Sequence, residues 1–224
     1  MIRRACVLAA CAPLVLMSLG SAAPGTPQEP SQDHGLQVTG PLVVGRQLAV
    51  KPFRILPEGV LYLRFENFPT TNTAQRTATP TSAVVEWAGK IWLITLGQRG
   101  QRSSGGTFVA EIGPVPPVPR AASYVLDVNE ADFGADMKAQ VARQVHTHPG
   151  PEIFYLLTGE QCLETPKGAM RARAGQGTVA PADTPMQLNI VGSARRDAFF
   201  VVVHDSAKPR MMLSDWHPTG ACDR

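Results

Sequence analysis

Short apolar runs separated by glycine and proline dominate the chain from about residue 40 onward. Each run holds about 6 to 9 residues rich in Val, Ile, Phe, Tyr and Trp, which is typical of β-strands. The predicted strands lie in residues 59–68, 82–89, 90–97, 106–113, 122–128, 152–159, 186–192 and 197–205. Many short strands with turn residues between them predict an all-β sandwich or barrel.

Residues 129–145 are a candidate helix, although their second half is open to strand formation as well. The chain also carries a weak internal repeat, because the sequence of turn and strand in residues 77–97 returns in residues 146–168. The repeat predicts two related β units with a boundary near residues 126–138. One larger sandwich with an accidental similarity is the alternative.

The first 23 residues predict a secretory signal peptide, because two arginines precede a short apolar run and then small residues. A membrane-spanning helix would need about 20 apolar residues, which is longer than this run. Cleavage is expected after Ala22 or Ala23, and a polar linker follows in residues 24–38. The protein is therefore expected in the periplasm or outside the cell. A lipoprotein anchored through Cys11 is the alternative.

The charge of the mature chain gives no basis for binding nucleic acid or an anionic membrane. Two of the 21 basic residues lie in the predicted signal peptide and all 18 acidic residues follow it, so the net charge falls from +3 to +1. So small a net charge creates no field that attracts a polyanion.

Two cysteines, Cys162 and Cys222, remain after removal of the signal peptide. In an oxidising compartment they predict one disulfide that ties the polar C-terminal tail to the body of the protein. Two unpaired, buried thiols are the alternative.

The main candidate for chemistry is the stretch HTHPGPE, residues 146–152. Residues i and i+2 of a strand face the same side, so His146 and His148 project together. The Pro-Gly-Pro turn then brings Glu152 level with the two imidazoles on the returning strand. Two histidines and one carboxylate suit iron(II), manganese, nickel or zinc. The alternative is a surface hairpin whose polar side chains point to water.

This stretch resembles the first motif of the cupin superfamily, which reads H-x-H, three or four residues, E, six residues, G. His146, His148, Glu152 and Gly159 satisfy that spacing in full, whereas Gln140 stands where the family has a leading glycine. The resemblance implies a double-stranded β-helix, also called a jelly-roll barrel. It also implies that the two histidines and the glutamate hold a divalent transition metal.

The second cupin motif is matched only in part. Gly175 and Pro181 fit its beginning, but Asp183, Met186 and Ile190 replace a glycine, a histidine and an asparagine. The missing histidine is normally the third imidazole of a four-ligand site, and a thioether is a weak ligand for hard divalent metals. Three interpretations stay open: the site keeps three ligands, Met186 is an apolar lid, or the metal is lost.

The resemblance implies two tandem cupin units, of which the first is degenerate. That first copy lacks both histidines and has Ala83 near the position that corresponds to Glu152. The predicted organisation is a signal peptide (1–23), a linker (24–38), a degenerate first unit (39–128), a metal-binding unit (129–216) and a tail (217–224).

Further residues are expected around the metal ligands. Met186, Tyr155 and Gln144 are predicted to line a pocket. His204 is a candidate extra ligand, because strand alternation places it on one face with Val202. A histidine satisfied within the core is the alternative for His204.

Two classes of function follow from these features. The first is a metal-dependent enzyme that acts on a small molecule inside the second barrel, with the reaction left open because one fold supports many chemistries. The second is a non-catalytic barrel that binds a small ligand without metal. Nucleophilic catalysis has no support, since the sequence has no G-x-S-x-G turn and neither Cys162 nor Cys222 adjoins a histidine. A homodimer is also compatible with the chain.

Overall fold

The structure, a computed structural model, describes residues 45–133 and 144–223. The predicted signal peptide, the linker and residues 134–143 lie outside the described residues. The elements are β1 (Gln47–Phe53), β2 (Leu61–Phe68), α1 (Thr71–Thr77), β3 (Ser82–Trp87), β4 (Lys90–Gln98), β5 (Thr107–Ile112), β6 (Tyr124–Phe133), β7 (His146–Thr147), β8 (Glu152–Leu156), β9 (Glu160–Thr165), β10 (Gly168–Arg173), β11 (Gly177–Ala180), β12 (Gln187–Val191), β13 (Arg196–Asp205) and β14 (Met212–Leu213).

The strands form three stacked layers. The middle layer is an antiparallel five-stranded sheet with the order β1-β6-β13-β8-β11. The four-stranded sheet β3-β4-β2-β5 covers one of its faces, and the three-stranded sheet β10-β9-β12 covers the other. Strand β13 is nearly continuous in apolar residues because both of its faces are buried.

Alternate side chains of β13 pack into the two interfaces that the middle sheet forms with the sheets on either side of it. Phe199, Val201 and Val203 pack with the four-stranded sheet, whereas Phe200 and Val202 face the three-stranded sheet. The second interface, between the middle sheet and the three-stranded sheet, is the barrel interior.

The layer opposite the middle sheet continues beyond β12. Met186, directly before β12, exchanges two backbone hydrogen bonds with His146 of β7. On the other side of β7, Leu213 of β14 pairs with the same histidine. This layer therefore runs β10-β9-β12-β7-β14, and its last strands lie beside the candidate metal ligands.

The C-terminal tail is fastened to β9. Cys162 and Cys222 form a disulfide, with 2.01 Å between the two sulfur atoms. Glu164, two residues further along β9, accepts hydrogen bonds from the backbone amides of Thr219 at 2.6 Å and Cys222 at 3.4 Å. Because the tail follows β14 directly, these contacts also hold the strand that pairs with His146.

Strands from both halves of the chain share the middle sheet. Strand β1 pairs with β6, β6 pairs with β13, and the described residues fall within one compact unit. The predicted boundary between residues 128 and 129 falls inside β6. Part of the predicted boundary region, residues 134–138, lies outside the described residues. The division into two tandem units therefore stays a prediction.

The predicted all-β class is confirmed, and each predicted strand corresponds to an observed one. The helix prediction is wrong for residues 129–133, which belong to β6. The helix α1 is absent from the sequence prediction because it is short and polar. Thr70 caps it by accepting a hydrogen bond from the Thr73 amide at 3.1 Å. No helix in the described part of the chain is long and apolar enough to cross a membrane.

Candidate metal centre

The three predicted ligands come from the two sheets that face each other across the barrel interior. His146 lies in β7, His148 follows that strand, and Glu152 opens β8 of the middle sheet. One ligand atom from each residue lies within 4.8 Å of the other two. His148 and Glu152 are almost fully buried, and His146 is half-buried. The structure thus brings the three residues together at one end of the barrel.

The turn between His148 and Glu152 is held tightly against β13. A Cβ at Gly150 would lie 1.8 Å from the carbonyl oxygen of Val203, so only glycine fits at this close approach. The Val203 amide also donates a hydrogen bond to the Pro151 carbonyl at 3.1 Å. This backbone contact fixes where Glu152 enters the middle sheet relative to the two histidines.

Backbone carbonyls set the orientation of both imidazoles. Nδ1 of His146 lies 3.0 Å from the carbonyl oxygen of Gln144, and Nδ1 of His148 lies 2.7 Å from that of Arg210. A carbonyl oxygen can only accept, so each neutral ring carries its proton on Nδ1 and leaves the Nε2 lone pair for another partner. The two rings are nearly perpendicular, with their centroids 4.9 Å apart.

Two atoms of the cluster are buried without a hydrogen-bond partner among the described residues: Nε2 of His148 and Oε2 of Glu152. Nε2 of His148 lies 3.4 Å from Oε1 of Glu152, which allows charge attraction, but the two groups are not aligned as a hydrogen bond. Leaving a buried polar atom unpaired costs about 1–3 kcal/mol. A divalent cation would satisfy both atoms, and two imidazole nitrogens with a carboxylate oxygen fit a transition metal.

Burial and mutual charge set the protonation of the cluster. Burial lowers the pKa of His146, so its imidazole is neutral at pH 7. Burial also lowers the pKa of His148, but the adjacent Glu152 carboxylate outweighs burial and the net shift is upward. For Glu152, burial is the largest single influence and raises the pKa, but His148, His146 and Arg196 together outweigh it and the net shift is downward. Without a metal, these shifts favour the carboxylate form of Glu152, the neutral form of His146 and the protonated form of His148, so binding of a metal by His148 competes with a proton.

Met186 and His204 lie near the cluster without joining it. The backbone of Met186 pairs with His146, and its fully buried side chain packs among apolar residues of the barrel. His204 is buried on the face of β13 that carries Val202, the cross-strand partner of Glu152. His204 does not belong to the group of ligand atoms within 4.8 Å of one another, so it is a neighbour of the site.

The other two predicted pocket residues take different positions. Gln144 is half-buried and supplies the carbonyl that orients His146. Tyr155 lies on the face of β8 opposite to Glu152, where its ring centroid is 4.8 Å from that of Phe65 in the four-stranded sheet. The prediction that Tyr155 lines the pocket beside the metal ligands is therefore wrong.

Polar residues that are absent from the sequence-based prediction extend the site along β6. Asp127 and Asn129 are buried on the barrel face, and the Asn129 amide donates to the Asp127 carboxylate at 3.0 Å. Arg210 donates to Asn129 and lies 3.6 Å from Asp127, so the residue whose carbonyl orients His148 is itself anchored. The alternation of apolar and polar residues in β6 is the signal that indicates this face.

Arg196 is a further buried cation of the barrel interior, at the end of β13 away from His204. Its guanidinium donates to Gln161 of β9 at 2.9 Å and lies 5.6 Å from the ring centroid of Phe154. Burial lowers the pKa of Arg196 to about 9, and the Glu152 carboxylate acts in the opposite direction. The positive charge of Arg196 in turn favours the anionic form of Glu152.

Several solved structures are similar to this chain. An uncharacterized conserved protein with a double-stranded β-helix domain from Klebsiella pneumoniae is 18% identical; the match covers 42% of this chain and 76% of that one, with a TM-score of 0.31. A cupin-2 domain containing protein from Shewanella frigidimarina is 14% identical over 39% of this chain and 71% of its own, with a TM-score of 0.26. Acireductone dioxygenase from Bacillus anthracis, with a cadmium ion in its active centre, is 11% identical over 34% of this chain and 49% of its own, with a TM-score of 0.28.

The similar structures include a protein with a double-stranded β-helix domain and a cupin-2 domain containing protein, and this chain has facing antiparallel sheets that enclose a barrel interior. At these identities and TM-scores the likeness carries no information about activity or substrate. No protein-family model matches the chain, and no curated protein does.

Proposed function

We propose that His146, His148 and Glu152 hold a divalent transition metal, and that the protein is a metal-dependent enzyme acting on a small molecule inside the barrel. The observation that carries this proposal is the convergence of His146 with two buried atoms, Nε2 of His148 and Oε2 of Glu152, that lack a hydrogen-bond partner among the described residues. Buried polar atoms in folded proteins are nearly always hydrogen-bonded, so such atoms call for a ligand.

Three protein ligands leave coordination positions for a substrate, and iron, manganese, nickel and zinc all suit the donor set. A bound metal supplies polarisation of a substrate oxygen. The chain's own residues hold the ligands in place: the carbonyls of Gln144 and Arg210 keep both Nε2 atoms available for a metal.

The barrel interior favours a small molecule with an apolar body and a polar end. Phe154, Leu163 and Met186 belong to its apolar lining. Polar side chains, among them Asp127 and His204, gather near the end that carries the candidate ligands. Apolar walls also keep water away from the polar end, which strengthens electrostatic interactions there.

We further propose that the protein acts in the periplasm or outside the cell. The predicted signal peptide and the Cys162–Cys222 disulfide support this location, because disulfides persist in oxidising compartments. Intact-mass spectrometry of the exported protein is expected to give a chain beginning at Ala23 or Pro24. A mass that corresponds to a diacylglyceryl group on Cys11 would instead show a lipoprotein.

A non-catalytic, metal-free binding barrel is the second candidate. It is favoured by Met186, a fully buried thioether at the position where the second cupin motif carries a histidine. In that case His148 and Glu152 form an ion pair without metal, and a ligand occupies the apolar interior.

Metal content separates the two candidates. The wild-type protein, loaded with manganese, nickel or zinc and desalted, is expected to hold one ion. His146→Ala and His148→Ala are expected to lose it, because the two remaining ligands compete poorly with water. His217→Ala is the matched control, since His217 is exposed in the tail. Absence of metal from the loaded wild type, or full metal content in His146→Ala and His148→Ala, would favour the metal-free barrel.

A further inference from the structure

His204 is a buried histidine that the three-ligand cluster does not use. It lies near the end of β13, only 4% exposed, on the face that carries Phe200 and Val202. Val202 is the cross-strand partner of Glu152, so His204 is two residues further along the same interior face. Its backbone also lies against the turn between the ligands, since a Cβ at Gly150 would be 2.9 Å from the Cα of His204.

The imidazole of His204 has one satisfied and one unsatisfied nitrogen. Nδ1 lies 2.8 Å from the carbonyl oxygen of Asp205, which can only accept, so Nδ1 carries the proton. Nε2 is buried and has no hydrogen-bond partner in the described ranges, 45–133 and 144–223. The neutral ring therefore presents a lone pair that lacks a donor.

The charged groups around His204 are already committed to other partners. Asp127 of β6 accepts a hydrogen bond from Asn129, and Arg210 donates to Asn129 and lies 3.6 Å from Asp127. His148 directs its proton to the Arg210 carbonyl. Burial is the largest influence and lowers the pKa of His204; the hydrogen bond to the Asp205 carbonyl and the charge of Asp127 raise it, the charges of His148 and Arg210 lower it, and the net shift is downward. The ring is neutral at pH 7 and acts as an acceptor.

We infer that His204 is a substrate-binding residue whose Nε2 accepts a hydrogen bond from a hydroxyl group of the molecule held at the metal. The inference rests on the proposed metal site and adds a substrate class, namely compounds with a hydroxyl group next to a second oxygen donor, such as 2-hydroxy acids. In such a compound the oxygen lone pairs bind the metal, and the hydroxyl proton remains for Nε2. His204 contacts the substrate and not the metal, because its ring lies outside the ligand group.

The test compares two probes that differ in whether they carry that hydroxyl proton. Glycolate has a carboxylate and a hydroxyl group, whereas methoxyacetate has the same two oxygen donors and no O–H. Each probe is titrated into the cobalt(II)-loaded mature protein, and the visible absorption of cobalt reports binding without any assay of turnover. The proteins compared are the wild type, His204→Phe, and His217→Phe as the control for a histidine in the exposed tail.

We expect the preference for glycolate over methoxyacetate to be about tenfold larger in the wild type than in His204→Phe, the effect of one hydrogen bond. His217→Phe should keep the wild-type preference, and all three proteins should hold the same amount of cobalt. His204→Gln, which retains a side-chain acceptor, should recover part of the preference. Because glutamine introduces no phenyl ring, this recovery would also show that the loss in His204→Phe does not come from a packing defect.

The outcomes that overturn the inference differ from those that overturn the proposed metal site. If the wild type binds cobalt but prefers glycolate no more than His204→Phe does, or binds neither probe, the role of His204 is wrong and the metal site stands. If His204→Phe and His204→Gln lose cobalt, His204 is a metal ligand and the inference is again wrong. If the wild type holds no cobalt, the proposed function itself fails.

Discussion

The two faces of the middle sheet are made from the same strands and have different contents. Toward the four-stranded sheet, Phe199 lies among the rings of Phe65, Trp87 and Trp92, with centroids 4.5 to 5.5 Å away. Toward the barrel interior, the apolar residues are interrupted by buried polar groups such as Glu152. Side-chain alternation alone creates this difference, because successive residues of a strand point to opposite faces.

The difference separates what stabilises the fold from what performs chemistry. Each buried ring of the aromatic face contributes favourable free energy, whereas a buried carboxylate or imidazole costs free energy until it finds a partner. Three buried polar atoms have no hydrogen-bond partner within the described part of the chain, and all belong to residues at the metal end of the barrel: His148, Glu152 and His204. Changes to the two faces are therefore expected to have separable effects.

Phe199→Ala is expected to cause the largest loss of stability. Removal of this buried ring costs about 3–5 kcal/mol, while metal affinity stays unchanged because Phe199 points away from the ligands. Urea unfolding followed by circular dichroism measures the first quantity, and a metal titration measures the second. The control is Phe200→Ala on the barrel face, whose ring lies 5.8 Å from the Arg210 guanidinium. Equal losses of metal affinity in the two variants would contradict the separation of the faces.

Removal of the disulfide is expected to have the next largest effect. The bridge joins residues 60 positions apart, and its loss in a Cys162→Ala/Cys222→Ala variant costs about 2–4 kcal/mol. Metal affinity should also fall, because the tail follows the segment that supplies the Arg210 carbonyl, which orients His148, and the strand β14, which pairs with His146. Unfolding and metal titrations of the variant measure both effects, and the reduced wild type should match it. A variant as stable as the oxidised wild type would show that the disulfide adds nothing to the fold.

The features that could be predicted from the sequence are local. The ligands His146, His148 and Glu152 are brought together by strand alternation and one turn, both of which lie within seven consecutive residues. The strands are evident from their composition for the same reason. The contact between His148 and the Arg210 carbonyl joins residues 62 positions apart, and no local pattern marks it.

The incorrect prediction that Tyr155 lines the pocket has a specific physical cause. All five residues of β8 are buried, because both faces of the middle sheet are covered. Apolar and polar residues then cease to alternate within residues 153–156, so only the spacing from Glu152 marks the faces: Phe154 shares the face of Glu152, and Tyr155 lies on the other. Strand β6 shows the opposite case, since Asp127 and Asn129 alternate with apolar residues and mark the barrel face.

Metal affinity is expected to fall with decreasing pH because of His148. The Glu152 carboxylate raises the pKa of His148 above 6.5, whereas burial lowers the pKa of His146 below it. Between those two values a metal must displace one proton, so affinity falls about tenfold, or 1.4 kcal/mol, for each pH unit below the pKa of His148. Competition titrations with a chelator from pH 8 to pH 6 measure this slope. An affinity that does not change over that interval would mean that His148 is not a ligand.

The smallest effect is expected at the cap of α1, which lies beside the four-stranded sheet. Thr70 accepts the Thr73 amide and thereby satisfies one of the free N–H groups at the start of the helix. Thr70→Ala is expected to cost about 1 kcal/mol and to leave metal affinity unchanged, since Ala74 of this helix packs with Phe68 and Leu93 outside the barrel. Thermal unfolding of Thr70→Ala, compared with the exposed neighbour Thr71→Ala, measures the cap alone. A change in metal affinity from Thr70→Ala would show that the four-stranded sheet influences the metal site.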